Sequence, residues 1–248
     1  MLVDTHCHIH EADYSLDISD VLQRAQEAGA EKMICVGTSE KSSLEAIGFA
    51  EKYDHIYASI GVHPHDTKDG YDKLASMNSR KIIAVGEIGL DYFYTHSPRE
   101  VQIAALKDQI ELALARNLPV IFHVRDAFDD FWPILDSYST KIHGVLHSFT
   151  DSHANMTNAV NRGLYIGVNG ISTFTKDEKQ QEMFASIPVD RLLLETDAPF
   201  LTPTPLRGKV NEPAYVRYVA EHHARIRGLS LDELAAKTSA NAHALFAL

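Results

Sequence analysis

The stretch Leu2-Val3-Asp4-Thr5-His6-Cys7-His8-Ile9 decides the fold prediction, because it is a short apolar run in which polar groups recur at every second position. Side chains alternate across a β-strand, so Asp4, His6 and His8 share one face and Cys7 lies on the other. We therefore interpret residues 2–9 as a buried first strand that carries two imidazoles on one face, with Cys7 as a small packing residue.

Seven further apolar runs follow, and the segments between them have the spacing of amphipathic helices, as in residues 101–114. The eight candidate strands lie at residues 2–9, 33–37, 56–62, 82–91, 119–124, 142–149, 164–169 and 192–197. Buried strands that alternate with helices predict a parallel sheet, and eight of them favour closure into a barrel. The length suits that fold, so we predict an α/β protein with one domain, a (β/α)8 TIM barrel over residues 1–248.

Helix boundaries are marked by polar residues that can cap a helix. Gly29 follows an apolar helical pattern and reads as a C-cap. A hydroxyl residue three positions before a glutamate predicts a capping box at a helix start. This spacing occurs at Ser97 and Glu100, at Thr175 and Glu178, and at Ser230 and Glu233. Two helical stretches near residues 212–227 and 230–247 are expected to end the chain.

Composition excludes several classes of protein. A formal net charge of −11 argues against general binding to nucleic acid, which depends on Lys and Arg neutralising phosphates. Two cysteines are too few for a disulfide framework, and no run approaches the roughly 18 apolar residues of a membrane span. The chain opens without the pattern of a signal peptide. We therefore expect a cytoplasmic protein that does not enter the membrane; a monomer is a reasonable expectation, although the sequence does not decide the oligomeric state.

Ionisable residues stand toward the carboxyl ends of five predicted strands. They are His6 and His8 in the first, Glu87 in the fourth, His123 with Arg125 in the fifth, His147 in the sixth, and Glu195 with Asp197 in the eighth. Active sites of parallel barrels are built at that end. Imidazoles with carboxylates are the usual ligands of Zn²⁺, Mn²⁺ and related ions. The pattern predicts a metal site.

A single histidine in a strand is more often a packed or capping residue than a ligand. The combination argues otherwise, because burying this many ionisable groups is costly without a metal or mutual pairing. Eight other histidines are interpreted as surface or helix residues: His10, His55, His96, His143, His153, His222, His223 and His243. Asp4 is ambiguous between support for an imidazole and a hydrogen-bonding group at the strand start.

Eight ordered motifs extend along the whole chain. They are Asp4-Thr5-His6-Cys7-His8, Gly61-Val62-His63-Pro64-His65, Gly86-Glu87-Ile88-Gly89-Leu90-Asp91-Tyr92, His123-Val124-Arg125-Asp126-Ala127, His147-Ser148-Phe149, Glu195-Thr196-Asp197-Ala198-Pro199, Arg207-Gly208-Lys209 and Asn211-Glu212-Pro213-Ala214-Tyr215-Val216. Together they resemble the TatD family of metal-dependent deoxyribonucleases, within the wider amidohydrolase-like barrels. Related amidohydrolases that cleave C–N bonds commonly have a carboxylated lysine on strand four. Glu87 stands there in this chain, which favours the nuclease-like branch.

The resemblance implies a site with two divalent ions, of which Zn²⁺, Mn²⁺ and Mg²⁺ are candidates. One ion would be held by His6, His8, Glu87 and Asp197, and the other by Glu87, His123 and His147. A hydroxide activated by the two metals would attack the substrate. Glu87 and Asp197 are the predicted catalytic residues: Glu87 bridges the ions, and Asp197 orients the nucleophile and moves its proton.

The expected substrate is DNA or another phosphodiester, cleaved as by a 3′-5′ exonuclease. Predicted substrate contacts are His63, Arg125, Glu195, Arg207 and Asn211. Surface salt bridges explain the two arginines equally well, as do a structural hydrogen bond for His63 and a helix N-cap for Asn211. Two other functions stay open: hydrolysis of an ester or amide, such as the ester in aminoacyl-tRNA, and a non-catalytic barrel that acts as a binding protein.

Overall fold

A computed structural model describes all residues, 1–248, and contains eight parallel strands in one sheet, ordered β1 to β8. The strands are β1 (Leu2–Cys7), β2 (Ala30–Val36), β3 (Ile56–Ile60), β4 (Ile82–Asp91), β5 (Val120–Arg125), β6 (Gly144–Leu146), β7 (Tyr165–Val168) and β8 (Leu192–Leu194). The first and last strands are adjacent, since Cys7 pairs with Ala198 just beyond β8. The predicted (β/α)8 TIM barrel is confirmed.

Nine helices lie between and after the strands. They are α1 (Ile18–Glu27), α2 (Glu40–Ala50), α3 (Arg99–Arg116), α4 (Phe128–Asp136), α5 (His153–Asn161), α6 (Ile171–Phe174), α7 (Glu178–Ser186), α8 (Val216–Arg227) and α9 (Leu231–Phe246). Their apolar faces form the outer core, as where Ala105, Leu106 and Ile110 of α3 are fully buried. None of these helices has the length and apolar character that crossing a bilayer requires.

Two of the three predicted capping boxes are wrong. Ser230 and Glu233 form one at the start of α9, as predicted. Helix α3 begins at Arg99 without a side-chain cap, because the Ser97 hydroxyl instead donates to the carbonyl of His65 at 2.7 Å. Asp177 caps α7 in place of Thr175. The Thr175 hydroxyl instead donates to the Gln180 side chain at 2.7 Å. The spacing rule does not detect such alternative partners of a hydroxyl group.

The chain divides into two compact units. The first unit combines residues 1–35 with 147–248. Within it, β1 pairs with β2 in a register that sets Cys7 beside Cys35, and both cysteines are buried and free. A salt bridge joins Arg24 of α1 to the buried Glu212, with Nε to Oε1 at 2.8 Å. It ties α1 to the segment that precedes α8.

The second unit is residues 36–146. Its centre is the long strand β4, which pairs with β3 on one side and β5 on the other. The register sets Gly89 beside His123 and Asp91 beside Arg125. A side chain on Gly89 would overlap the carbonyl oxygen of His123, so the close approach of β4 and β5 requires glycine there. This approach fixes His123 relative to Glu87 and Asp91.

Candidate metal centre

The first group of predicted site residues belongs to the first unit, and we call it the β1–β8 cluster: His6, His8, His147, Glu195 and Asp197. Strand β1 carries His6, and His8 follows its last residue. His147 follows β6, while Glu195 and Asp197 follow β8. Strands β6 and β8 are only three residues long, so these last three side chains stand on loop backbone rather than on the longer strands that the sequence predicted.

Imidazole nitrogens and carboxylate oxygens converge in the β1–β8 cluster. The Nε2 atoms of His6 and His8 are 3.1 Å apart, and Asp197 Oδ1 lies 3.6 Å and 3.5 Å from them, respectively. The His147 ring stacks on His6 at 3.7 Å, and its Nδ1 is 3.2 Å from Glu195 Oε1. Ligand atoms of His6, His147 and Glu195 all lie within 4.8 Å of one another. This buried set of nitrogen and oxygen donors fits a divalent cation.

Backbone contacts with β1 hold Asp197 in place. Its φ of 58° is unusual for a non-glycine residue, and its amide donates to the carbonyl of His6 at 2.8 Å. The side chain of the buried Asp4 accepts hydrogen bonds from the Thr196 amide at 2.8 Å and from the Thr196 hydroxyl at 2.6 Å. Burial raises the pKa of Asp4 to about 8. Asp4 thus anchors the segment after β8 to the strand that carries His6.

The charge state of Asp197 follows from its neighbours. Burial acts to raise the pKa of its carboxyl group, but the hydrogen bond with His8 and the charges of His147 and His6 hold that pKa below its ordinary value. The carboxylate is also the most open part of the cluster, with 14% of its side chain exposed against 0% for His6 and 6% for His8. Asp197 is therefore an anion that water can reach.

Glu195 was predicted to contact substrate, but the structure places it inside the β1–β8 cluster. Its side chain is buried, and Oε1 accepts the Ser148 amide at 2.6 Å and the Asn169 side-chain amide at 3.4 Å. A side chain on Gly167 would come within 2.5 Å of Oε2, so glycine on β7 leaves the space that Glu195 fills. The surroundings orient Glu195 toward His147 rather than toward solvent.

The second group belongs to the second unit, and we call it the β4–β5 cluster: His63, His65, Glu87, Asp91 and His123. His123 Nδ1 is 3.0 Å from Glu87 Oε1, and its Nε2 is 3.0 Å from Asp91 Oδ2. His63 Nε2 is 3.4 Å from the same oxygen of Glu87. Ligand atoms of His63, Glu87 and His123 lie within 4.8 Å of one another. A second set of donors that fits a divalent ion is thus present.

His63 was predicted to contact phosphate, and the structure places it beside Glu87 and His123. Burial, together with the charge of His123, lowers the pKa of His63 to about 4, so the ring is neutral at pH 7. A neutral imidazole has a lone pair for a metal but no positive charge for a phosphate.

Asp91 and His65 were not among the predicted site residues. Asp91 Oδ2 lies 2.9 Å from His65 Nε2 as well as beside His123. Burial acts to raise the pKa of Asp91, but hydrogen bonds from His123, from the Tyr94 amide and from His65 hold it well below its ordinary value. Both residues could have been found from the sequence, since Asp91 has the same parity in β4 as Glu87, and His65 is two positions after His63.

The three other predicted substrate contacts differ in whether their side chains are free to contact a phosphate. Arg125 is exposed, and its guanidinium lies over the Phe93 ring at 4.0 Å. Arg207 is exposed, lies over the Phe174 ring at 3.8 Å and donates to the carbonyl of Thr202. Neither arginine forms a salt bridge.

Asn211 is buried, and both donors of its amide are used, toward the carbonyls of Thr196 and Phe200 at 2.8 Å and 2.5 Å. Its Oδ1 accepts the Glu212 amide at 3.0 Å. No N–H group is left for a phosphate, so we revise the predicted substrate contact: Asn211 holds the loop that contains Asp197. Two histidines interpreted as surface or helix residues, His10 and His223, are also buried.

The barrel with its histidine and carboxylate clusters defines the class of the protein as a metal-dependent hydrolase, and comparison with known proteins gives the family. The family model described as TatD related DNase matches residues 3–247. The chain belongs to this TatD family.

Relatives match over almost the full length. A metal-dependent hydrolase of Bacillus subtilis, YabD, is 40% identical over 99% of both chains. The 3′-5′ ssDNA/RNA exonuclease TatD of Salmonella typhimurium is 36% identical over 99% of this chain and 98% of its own. The crystal structure of YjjV, a TatD homologue from Escherichia coli K12, has a TM-score of 0.92 and 32% identity, covering 100% of this chain and 98% of its own. The predicted family and enzyme class are confirmed.

Proposed function

We propose that this protein hydrolyses phosphodiester bonds in single-stranded DNA and removes nucleotides from the 3′ end. The observation that carries the proposal is that each cluster contains three side chains that could hold a metal ion, with ligand atoms within 4.8 Å of one another: His6, His147 and Glu195 in one, and His63, Glu87 and His123 in the other. Two ions are the usual arrangement in enzymes that displace groups at phosphorus. The printed activity of the Salmonella relative, a 3′-5′ ssDNA/RNA exonuclease, supports the substrate and the polarity.

We infer that two divalent ions, of Zn²⁺, Mn²⁺ or Mg²⁺, bind at these clusters. The β1–β8 cluster offers as ligands His6, His8, His147, Glu195 and Asp197. The β4–β5 cluster offers His63, Glu87 and His123. Glu87 would supply a carboxylate ligand in the β4–β5 cluster. Bound there, the ions supply an activated water and neutralise charge that develops on the phosphoryl oxygens.

The protein's own side chains divide the remaining work. Asp197 is the carboxylate in the β1–β8 cluster with the most open side chain, which suits it to orient the attacking water and accept its proton. Arg125 and Arg207 are exposed and free of salt bridges, which suits them to contact phosphate oxygens. Because the net charge of the protein is −11, its affinity for DNA has to come from such local contacts.

Location and assembly are proposed here as the sequence predicts them. We infer a cytoplasmic protein, supported by two buried cysteines that are both free. A monomer is compatible with the clusters, because each of them draws its side chains from this one chain and needs no residue of a second copy.

The test is a paired assay of the wild-type protein with Mg²⁺ or Mn²⁺ on 5′-labelled single-stranded DNA and on an aminoacyl ester. We expect the labelled strand to shorten stepwise with time, and a circular single strand, which has no 3′ end, to stay intact; degradation from the 5′ end would instead release the label as a mononucleotide. Glu87→Ala should lower the rate by more than about 100-fold, since loss of mere supporting groups at metal sites costs about 10- to 100-fold. Glu45→Ala, which changes a glutamate on α2, is the matched control and should keep the wild-type rate. Cleavage of the ester with the DNA left intact would contradict the proposal.

A further inference from the structure

The loop between β4 and α3 exposes two neighbouring aromatic side chains. Phe93 is 54% exposed and Tyr94 is 44% exposed, and they are two of the six large hydrophobic residues that the protein leaves open to solvent. Their backbone amides donate to Asp91 Oδ1 at 3.0 Å and 2.9 Å, which turns the loop back over the end of β4. The backbone that carries the two rings is therefore held at the β4–β5 cluster by one of the members of that cluster.

Arg125 completes this surface. The register of β4 and β5 sets it beside Asp91, and its guanidinium carbon lies 4.0 Å from the centre of the Phe93 ring and 4.9 Å from that of Tyr94. No side-chain hydrogen bond or carboxylate partner of Arg125 is present in the protein. The cation is thus held by two rings while its N–H groups stay available to an anion.

A continuous series of rings connects this surface to the candidate metal ligands. Tyr94 lies 5.5 Å from His65, between ring centres, and His65 lies 4.3 Å from His63. His63 in turn lies 4.4 Å from His123. A group resting on Phe93 and Tyr94 is therefore next to the donors of the β4–β5 cluster rather than at a remote part of the surface.

We propose that Phe93, Tyr94 and Arg125 form a stacking subsite for a nucleobase next to the scissile phosphate of single-stranded DNA, with Arg125 on the adjoining phosphate. The inference rests on the proposed function and deepens it. Bases of single strands stack on exposed aromatic side chains with little regard to sequence, and arginine adds both charge and a planar face. In a duplex, neighbouring stacked bases cover both faces of a base, so the subsite selects single strands.

The test measures binding of a short 5′-fluorescein oligothymidylate to the full chain in EDTA, by fluorescence anisotropy, beside the same oligonucleotide with an abasic 3′-terminal residue. We expect the wild-type protein to bind the abasic strand roughly 5- to 150-fold more weakly, the range found for stacking of one base. Phe93→Ala should bind both strands with equal affinity, and Phe93→Trp should restore the preference for the intact strand. Arg125→Ala should lower the affinity for both strands by the same factor.

Leu44→Ala is the matched control, because Leu44 is an equally exposed apolar residue on α2. The subsite would be overturned if Phe93→Ala kept the wild-type preference for the intact over the abasic strand. It would also be overturned if the wild-type protein showed no measurable binding at millimolar oligonucleotide. Hydrolysis is assayed separately with Mn²⁺. If the protein cleaves DNA but binds the intact and abasic strands equally, the subsite is wrong and the proposed function stands. If it prefers the intact strand but does not cleave DNA, the proposed function is wrong and the base-binding surface stands.

Discussion

Asp91 illustrates how one carboxylate can organise a cluster without being exposed to substrate. One of its oxygens lies about equally close to His65 and His123, and the other accepts two backbone amides of the following loop. His123 presents its opposite nitrogen, Nδ1, to Glu87. A carboxylate on the far side of an imidazole fixes the orientation of the ring and increases its basicity toward a metal.

We expect Asp91→Asn to weaken metal binding by about 10- to 100-fold, because an amide neither holds both histidines nor raises the basicity of His123. Calorimetric titration of the purified protein with Mn²⁺ measures this directly. Asp69→Asn, at an exposed aspartate of the same unit, is the control and should bind as the wild-type protein does. An unchanged affinity in Asp91→Asn would show that His123 does not need this partner.

The elements themselves show what the sequence can and cannot predict. All eight strands were found from apolar runs, since burial within a covered sheet leaves that pattern in the sequence. The positions of the site side chains were only partly predicted, because Ser148 and Asp197 adopt a left-handed backbone conformation just beyond short strands, where side-chain parity no longer applies. Glu195 was predicted among the substrate contacts, although its parity is that of Asp197. In the structure its Oε1 lies 3.2 Å from His147 Nδ1, among the candidate metal ligands.

Strand β4 depends on glycine at its contact with β5. We expect Gly89→Ala to destabilise the protein by about 1–3 kcal/mol, because the added methyl group overlaps the carbonyl oxygen of His123 and the two strands must separate. Gly48→Ala makes the same substitution on α2, where no atom lies within 4 Å, and should stabilise by about 0.4–1 kcal/mol. Urea unfolding of the three proteins gives both values. A Gly89→Ala protein as stable as the wild type would refute the close-approach argument.

At the scale of the whole molecule, the negative net charge explains why binding of DNA would depend on local contacts with its phosphates. Surface charges that lie farther from a phosphate than the Debye length, about 8 Å at physiological salt, are largely screened. A net charge of −11 therefore does not prevent two unpaired arginines from contacting DNA, but it provides no broad attraction to a long polymer. Such a protein suits strand ends that enter the site one nucleotide at a time.

We propose that residues 1–248 form one cooperative domain, although the chain divides into two compact units, because all eight strands belong to one sheet. The only tryptophan, Trp132, lies in α4 among Phe128 and Phe131, so its fluorescence reports on residues 36–146 alone. Far-UV circular dichroism reports on the helices of both units. If unfolding is two-state, both signals give the same urea midpoint, since coincident transitions are the mark of a single cooperative unit. A tryptophan transition at lower urea would mean that residues 36–146 unfold first and that the one-domain prediction is wrong.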